Sequence, residues 1–79
     1  ELEKVLRSLR ATELVFTGIA TNGAVEATAR DAVVREFRVR TLSDCVAAYD
    51  RELHLASLKS LGFIGELETC ASFLHRLAA

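Results

Sequence analysis

The residues between Leu14 and Ala32 have the pattern of a short apolar strand, a tight turn and the first turns of a helix. This pattern places residue 24 at a helix N-terminus above the carboxyl end of the strand, where open α/β folds bind ligands. A helix N-terminus favours negative charge and lowers the pKa of a thiol. Residue 24 is Ala, so the chain lacks the nucleophile that would suit this position.

The run Gly18-Ile-Ala-Thr-Asn-Gly-Ala-Val-Glu26 resembles the nucleophile elbow of the isochorismatase-like cysteine hydrolases. In that family a catalytic cysteine occupies the position that Ala24 has here. The run Val39-Arg-Thr-Leu-Ser-Asp-Cys-Val-Ala-Ala-Tyr-Asp50 is similar to a strand and loop of the family that end in Ser-Asp-Ala-x-Ala-Ala-Tyr-Asp. Residues 52–58 and 65–69 resemble the helix and the last strand that follow. These blocks occur in order along essentially the whole chain, which is thereby identified as a member of this family.

The resemblance implies an α/β fold in which residues 1–79 form the C-terminal part of a single domain. That domain is a doubly wound parallel sheet of the Rossmann-like, three-layer kind. Family members are longer, and the N-terminal half of the domain would hold a catalytic aspartate and a lysine. The first residue is Glu1 and not Met, which favours a fragment, so we expect that half to be a partner of this chain.

The resemblance also implies a reaction and a set of site residues. A thiolate at position 24 would attack the carbonyl carbon of a small amide, carbamoyl or ureido substrate, and water would then release the acyl-enzyme. The N–H groups of Ala20 and of residue 24 would hold the oxyanion. The other substrate-binding residues implied are Ile19, Thr21, Asn22 and Gly23, and the Ile19–Ala20 peptide bond is expected to be cis. No cofactor and no metal ligand is expected in this chain.

Three interpretations of Ala24 remain open, because a methyl group can neither attack a carbonyl nor be activated to do so. The cysteine has been replaced deliberately to trap a substrate, or the protein is a natural homologue that retains only a binding or assembly role. Alternatively, the reaction needs no thiol, as in the branch of the family that cleaves the vinyl ether of isochorismate by acid catalysis.

Other residues with reactive side chains have simpler interpretations. We expect Cys45 and Cys70 to be packing residues in the reduced state, which indicates a cytoplasmic protein. His54 and His75 have no partner at metal-ligand spacing and are expected at the surface or at an interface. Asp44 is expected to make a strand-end hydrogen bond and Asp50 to cap a helix.

Three further side chains have open or structural interpretations. Tyr49 lines either the pocket or a subunit contact. Arg38 and Arg40, on a strand, are expected at solvent or at an interface rather than on an anionic substrate.

Periodicity and turn residues predict four helices that alternate with three strands, which is typical of a parallel α/β sheet. The helices are expected over residues 1–10, 22–37 with Asn22 as the N-cap, 50–61 ended by Gly62, and 69–77 capped by Thr69. The strands are expected over residues 13–17, 37–42 and 65–68, with a loop over residues 43–49. So small a sheet leaves open edges, which favours a homo-oligomer or pairing with the rest of the domain.

Composition restricts the class of partner. Hydrophobic residues make up 51% of the chain and the net charge is −1, which indicates a folded piece and argues against nucleic acid or an anionic membrane. No apolar run approaches the roughly 20 residues that span a bilayer. A small-molecule substrate is the partner that fits best.

Overall fold

The computed structural model describes residues 2–78, which form four α-helices, three β-strands and one π-helical turn. In chain order these are α1 (Leu2–Ser8), β1 (Glu13–Ile19), the π turn (Thr21–Val25), α2 (Glu26–Val34), β2 (Arg38–Ala47), α3 (Arg51–Ile64), β3 (Glu66–Glu68) and α4 (Cys70–Ala78). The strands form one parallel sheet in the order β1-β2-β3. The predicted α/β alternation with a parallel sheet is confirmed.

Strand β2 is central and longer than the sequence pattern indicates. It pairs with β1 from Glu13↔Arg38 to Phe16↔Thr41, and after an irregularity the pairing resumes at Gly18↔Val46 and ends at Ile19↔Ala47. The prediction of a loop over residues 43–49 is therefore wrong for residues 43–47. The strand continues because its second half still has a partner strand and because Val46 is buried in the core.

One face of the sheet packs against α2 and α3. Val39 of β2 lies there with Ala29 of α2 and Leu61 of α3, both of which are fully buried. A small residue at position 29 lets the helix approach the sheet closely, as expected from the alanines of this helix. Leu14 and Phe16 of β1 are partly buried against the same cluster, so the alternate residues of β1 define its inner face.

The opposite face carries a chain of ion pairs that crosses the sheet to α4. Arg40 of β2 contacts Glu13 of β1 at 3.2 Å and Glu68 of β3 at 3.1 Å, and Glu68 is bonded in turn by Arg76 of α4 at 2.9 Å. The side chain of Arg40 is only 17% exposed. The expectation of a solvent position holds for Arg38, which is exposed, and is wrong for Arg40 because two carboxylates draw its guanidinium onto the sheet.

The predicted N-terminal caps Asp50 of α3 and Thr69 of α4 are confirmed. Asp50 Oδ1 accepts a hydrogen bond from the N–H of Leu53, and Thr69 Oγ1 accepts one from the N–H of Ser72. Two ion pairs of i,i+4 spacing, Glu26–Arg30 and Asp31–Arg35, also lie along α2 and its C-cap.

Four helix ends differ from the prediction by two or more residues. α1 stops at Ser8 rather than at residue 10, and α2 stops at Val34 rather than at residue 37. The start of α2 and the end of α3 also differ. Asn22 is not an N-cap, since it lies inside the π turn and α2 begins at Glu26. Gly62 does not end α3, which continues to Ile64 with Gly65 as its C-cap. A Cβ at residue 65 would collide with the carbonyl oxygen of Val39, so the helix ends where close approach to β2 requires a glycine.

Within residues 2–78, no helix is long and apolar enough to cross a membrane. Several apolar side chains of this part of the chain are nonetheless exposed, among them Ile19 at the end of the edge strand β1 and Phe63 of α3. These side chains lack the burial that apolar groups of a complete domain normally have.

Candidate active site at the turn after strand β1

A single residue, Ala20, separates β1 from the π turn, and two backbone N–H groups of the turn donate hydrogen bonds to the carbonyl oxygen of this residue. The N–H groups of Gly23 and Val25 both donate to the carbonyl oxygen of Ala20, each at 3.1 Å. Gly23 has φ −124° and ψ −106°, which is not helical, and the Ile19–Ala20 peptide bond is cis, as the resemblance implies. The chain therefore makes a wide, hydrogen-bonded turn at the carboxyl end of β1, a type of turn that is frequent at functional sites.

The turn divides its side chains between the core and the surface. Thr21 and Val25 are buried, whereas Asn22, Gly23 and Ala24 are exposed. Among the turn and loop hydrogen bonds within residues 2–78, the N–H of Ala20 donates to no backbone carbonyl. An exposed position 24 and this backbone N–H thus lie within the same short segment.

Helix α3 holds the turn at both of its ends. His54 Nδ1 and Thr21 Oγ1 are joined by a hydrogen bond of 2.9 Å, and the hydroxyl of Ser57 donates to Glu26 Oε1 at 2.6 Å. This hydrogen bond from Ser57, with a further one from Arg30, lowers the pKa of Glu26 against the opposing effect of burial. His54 is half-buried and bonded to the turn, so the expectation of a surface position is wrong, while the expectation of an interface position stays a prediction.

These contacts were missed because Thr21 and His54 are 33 residues apart in the chain. The one sequence signal is that His54 and Ser57 are three residues apart, which places them on the same face of a helix. The pattern shows a shared face but not which element that face meets.

The two cysteines lie together at a different position on the sheet. Asp44 Oδ1 accepts a hydrogen bond from the N–H of Cys70 at 2.8 Å and lies 3.8 Å from Cys45 Sγ. Both thiols are free. Burial, the Cys70 thiol and the Asp44 carboxylate raise the pKa of Cys45, so Cys45 is less ionised at neutral pH than an ordinary thiol. This environment is unfavourable for a nucleophile.

The remaining candidates do not gather at the turn. Asp44 lies inside β2 and not at a strand end, so the expected strand-end hydrogen bond is wrong, and its carboxylate accepts the N–H of Cys70 at the start of α4. Asp50 makes the expected helix cap. Tyr49 is 98% exposed and His75 is also exposed. In the described part of the chain, no group of three or more His, Cys, Asp or Glu side chains is arranged to hold a metal ion.

Two grooves of the described residues lie away from the turn. One, of about 460 Å³, is lined by residues at the amino ends of the strands, including Glu13 and Arg38, and by Phe63. The other, of about 230 Å³, lies between α1 and α2. Residue 24 is exposed and lines neither groove.

The described residues form a parallel α/β sheet with a hydrogen-bonded turn at the carboxyl end of β1. Residues 1–72 match the family model described as the isochorismatase domain, and the chain belongs to the isochorismatase family.

Its relatives include amide hydrolases. Over 74 residues the chain is 42% identical to the ureidoacrylate amidohydrolase RutB of Methylobacterium radiotolerans, covering 91% of this chain and 29% of the relative. It is 37% identical over 62 residues to Nicotinamidase 3 of Arabidopsis thaliana, covering 78% of this chain and 31% of that protein. The chain therefore spans about a third of the length of these relatives.

A solved structure shares the fold. The cysteine hydrolase from Pseudomonas syringae pv. phaseolicola superposes with a TM-score of 0.92 at 31% identity, covering 98% of this chain and 42% of that one. The architecture described here is thus that of part of an isochorismatase-like domain.

Proposed function

We propose that this chain is the elbow-bearing part of a hydrolase that cleaves the C–N bond of a small amide, carbamoyl or ureido compound. The nucleophile of that reaction would be a thiolate at position 24. Its attack on the carbonyl carbon gives a tetrahedral intermediate, loss of the amine gives an acyl-enzyme, and water hydrolyses the acyl group. The N–H groups of Ala20 and residue 24 would bind the oxyanion, and Ile19, Thr21, Asn22 and Gly23 would surround the substrate.

The observation that carries this proposal is the geometry of the π turn. Position 24 is exposed soon after the carboxyl end of β1, and within residues 2–78 the N–H of Ala20 makes none of the backbone hydrogen bonds of the turns and loops. A preorganised backbone donor is the element that acyl transfer needs most, since one such donor is worth about 100- to 1,000-fold in kcat. The amide-hydrolysing relatives support the same class of substrate.

Ala24 disables the thiol-dependent step in this chain. An oxyanion-binding site without a nucleophile retains at most residual catalysis. A second candidate function therefore follows from the same residue: a non-catalytic module that binds the ligand or assembles with a partner through the retained fold. The thiol-independent cleavage of a vinyl ether is the third candidate.

The test restores the thiol by Ala24→Cys in the full-length protein and measures hydrolysis of nicotinamide, ureidoacrylate and simple carbamoyl compounds. The thiol mechanism predicts turnover of at least one of them, with activity lost in Ala24→Ser because a serine hydroxyl is a much weaker nucleophile at neutral pH. Cys45→Ser in the restored background is the matched thiol control and should leave turnover unchanged. No turnover with any substrate would exclude the hydrolase and favour the binding module.

A further inference from the structure

The π turn is held by two polar contacts from α3, one at each end. Thr21 is its first residue and Glu26 directly follows its last residue, Val25. Their partners, His54 and Ser57, are one helical turn apart on α3. The five-residue turn is thus fixed across its whole length by a single rigid helix.

Thr21 is fully buried, and within residues 2–78 His54 Nδ1 is the one hydrogen-bond partner of its hydroxyl. A buried hydroxyl that loses its partner destabilises the fold, because water does not replace the lost bond. The hydrogen bond to His54 therefore restrains the side chain of Thr21 and, through its backbone, the peptide unit that joins Ala20 to Thr21.

This peptide unit matters for the site because it belongs to the segment that carries the backbone donors. The carbonyl oxygen of Ala20 accepts the N–H groups of Gly23 and Val25. A rotation of the Ala20–Thr21 peptide unit would move that carbonyl, and the N–H groups around position 24 would move with it.

We propose that His54 and Ser57 are positioning residues of the candidate active site. They act through Thr21 and Glu26 to keep the N–H groups around position 24 directed at one point. This inference rests on the proposed function for the identity of the reacting group. Neither side chain touches that group, and their effect is on the electrostatic environment of position 24.

Two charged groups near the turn, Glu26 and Arg30, affect how much a substitution of Ser57 should change the turn. Glu26 is the carboxylate bonded to Ser57, and its second oxygen accepts Arg30 at 2.9 Å. Because Arg30 remains when Ser57 is replaced, Ser57→Ala should have a smaller effect than removal of the His54 contact, which has no substitute.

The experiment measures the pKa of the thiol introduced by Ala24→Cys in the full-length protein, without any substrate. The pH profile of alkylation by iodoacetamide is followed by mass spectrometry on the peptide that contains residue 24, which separates this thiol from Cys45 and Cys70. In this parent variant we expect the pKa to lie below the ordinary value of about 8.5. His54→Phe keeps the ring and removes the hydrogen bond, and should raise that pKa by about one unit, a roughly tenfold loss of thiolate at neutral pH.

Three further variants separate positioning from a general effect on stability. Thr21→Val removes the hydroxyl with little change of shape and should give the same shift as His54→Phe, and the double variant should add nothing more. His54→Asn, which places an amide near Nδ1, should restore most of the parent profile. His75→Phe, at an exposed histidine of α4, should leave the profile unchanged.

An alkylation profile that is identical in the parent, His54→Phe and Thr21→Val would overturn the inference, as would fully additive effects of these two substitutions. If His54→Phe does not fold, the alkylation profile of the isosteric variant Thr21→Val tests the inference by itself. A lowered thiol pKa that depends on His54, together with no turnover of any amide, would support positioning and reject the proposed function. The experiment can therefore reject the proposed hydrolase function without rejecting the positioning role of His54 and Ser57.

Discussion

Ala24 lies exposed on the π turn, four residues after Ala20, whose carbonyl oxygen accepts the N–H groups of Gly23 and Val25. The side chain at this position decides whether the turn carries a nucleophile. The turn itself is held by buried side chains, Thr21 and Val25, and by the contacts with α3. Replacing the methyl group with a thiol should therefore leave the fold intact, because residue 24 contributes to neither set of contacts.

Glu68 shows how one carboxylate depends on its neighbours. Hydrogen bonds from Arg76 and Ser72 hold the pKa of Glu68 at about 2, below the ordinary value of 4.5. A carboxylate with a lowered pKa in the folded state stabilises the fold above its unfolded pKa and loses that contribution as the pH falls toward the folded pKa.

We expect Glu68→Gln to lower the melting temperature of the full-length protein near neutral pH. The difference from the unsubstituted protein should shrink as the pH falls from about 4.5 to about 2, and thermal unfolding by circular dichroism over this range measures it. Glu66→Gln, on the same strand with no ion pair among the described residues, is the control. A difference that is constant with pH would contradict the assigned role of Glu68.

At the scale of helices and strands, the features that depend on interactions between residues close in the chain can be predicted from the sequence. The alternation of helices and strands follows from periodicity, and the caps at Asp50 and Thr69 follow from residue type. The cis peptide at Ile19–Ala20 was expected only through the family resemblance. The resemblance, and not periodicity, identifies the candidate site at this turn.

The misplaced boundaries have tertiary causes that a local pattern does not contain. β2 continues to Ala47 because β1 supplies a partner after an irregularity. α2 starts at Glu26 rather than Asn22 because the chain first forms the π turn. The contact between His54 and Thr21 was missed for the same reason, since it depends on how α3 packs against the turn.

The end of α3 provides a test at this scale. Gly65→Ala would drive a Cβ into the backbone oxygen of Val39, which the sheet holds in place, and overpacking of this kind costs about 1–3 kcal/mol. Gly62→Ala meets only the movable Leu67 side chain at 3.2 Å and gains about 1 kcal/mol of helix propensity. Urea denaturation of the full-length protein should show a clear loss of unfolding free energy for Gly65→Ala and a change near zero for Gly62→Ala. Equal effects would contradict the close approach of α3 to β2.

At the scale of the whole molecule, the described chain exposes much apolar surface. Phe63 is 91% exposed, and Leu2 and Val5 of α1, with Leu9 just after it, are also exposed. Strands β1 and β3 are both edges of the sheet. Open strand edges and exposed apolar groups favour association.

We therefore predict that the 79-residue chain alone is not a stable monomer. It should pair with copies of itself, or with the rest of its domain when that is supplied. Sedimentation velocity at low micromolar concentration, with and without the remaining part of the domain, measures this. A compact monomer that unfolds cooperatively would contradict the prediction.

The most direct test of the central claim is a mass measurement on position 24. The full-length protein carrying Ala24→Cys is mixed with an amide substrate that it turns over, quenched in acid within the first turnovers, digested and analysed by peptide mass spectrometry. The account predicts an acyl adduct on the peptide that contains residue 24 and none on the peptides that contain Cys45 or Cys70. Turnover without an adduct at residue 24, or with the adduct on another cysteine, would contradict the claim that this turn carries the nucleophile.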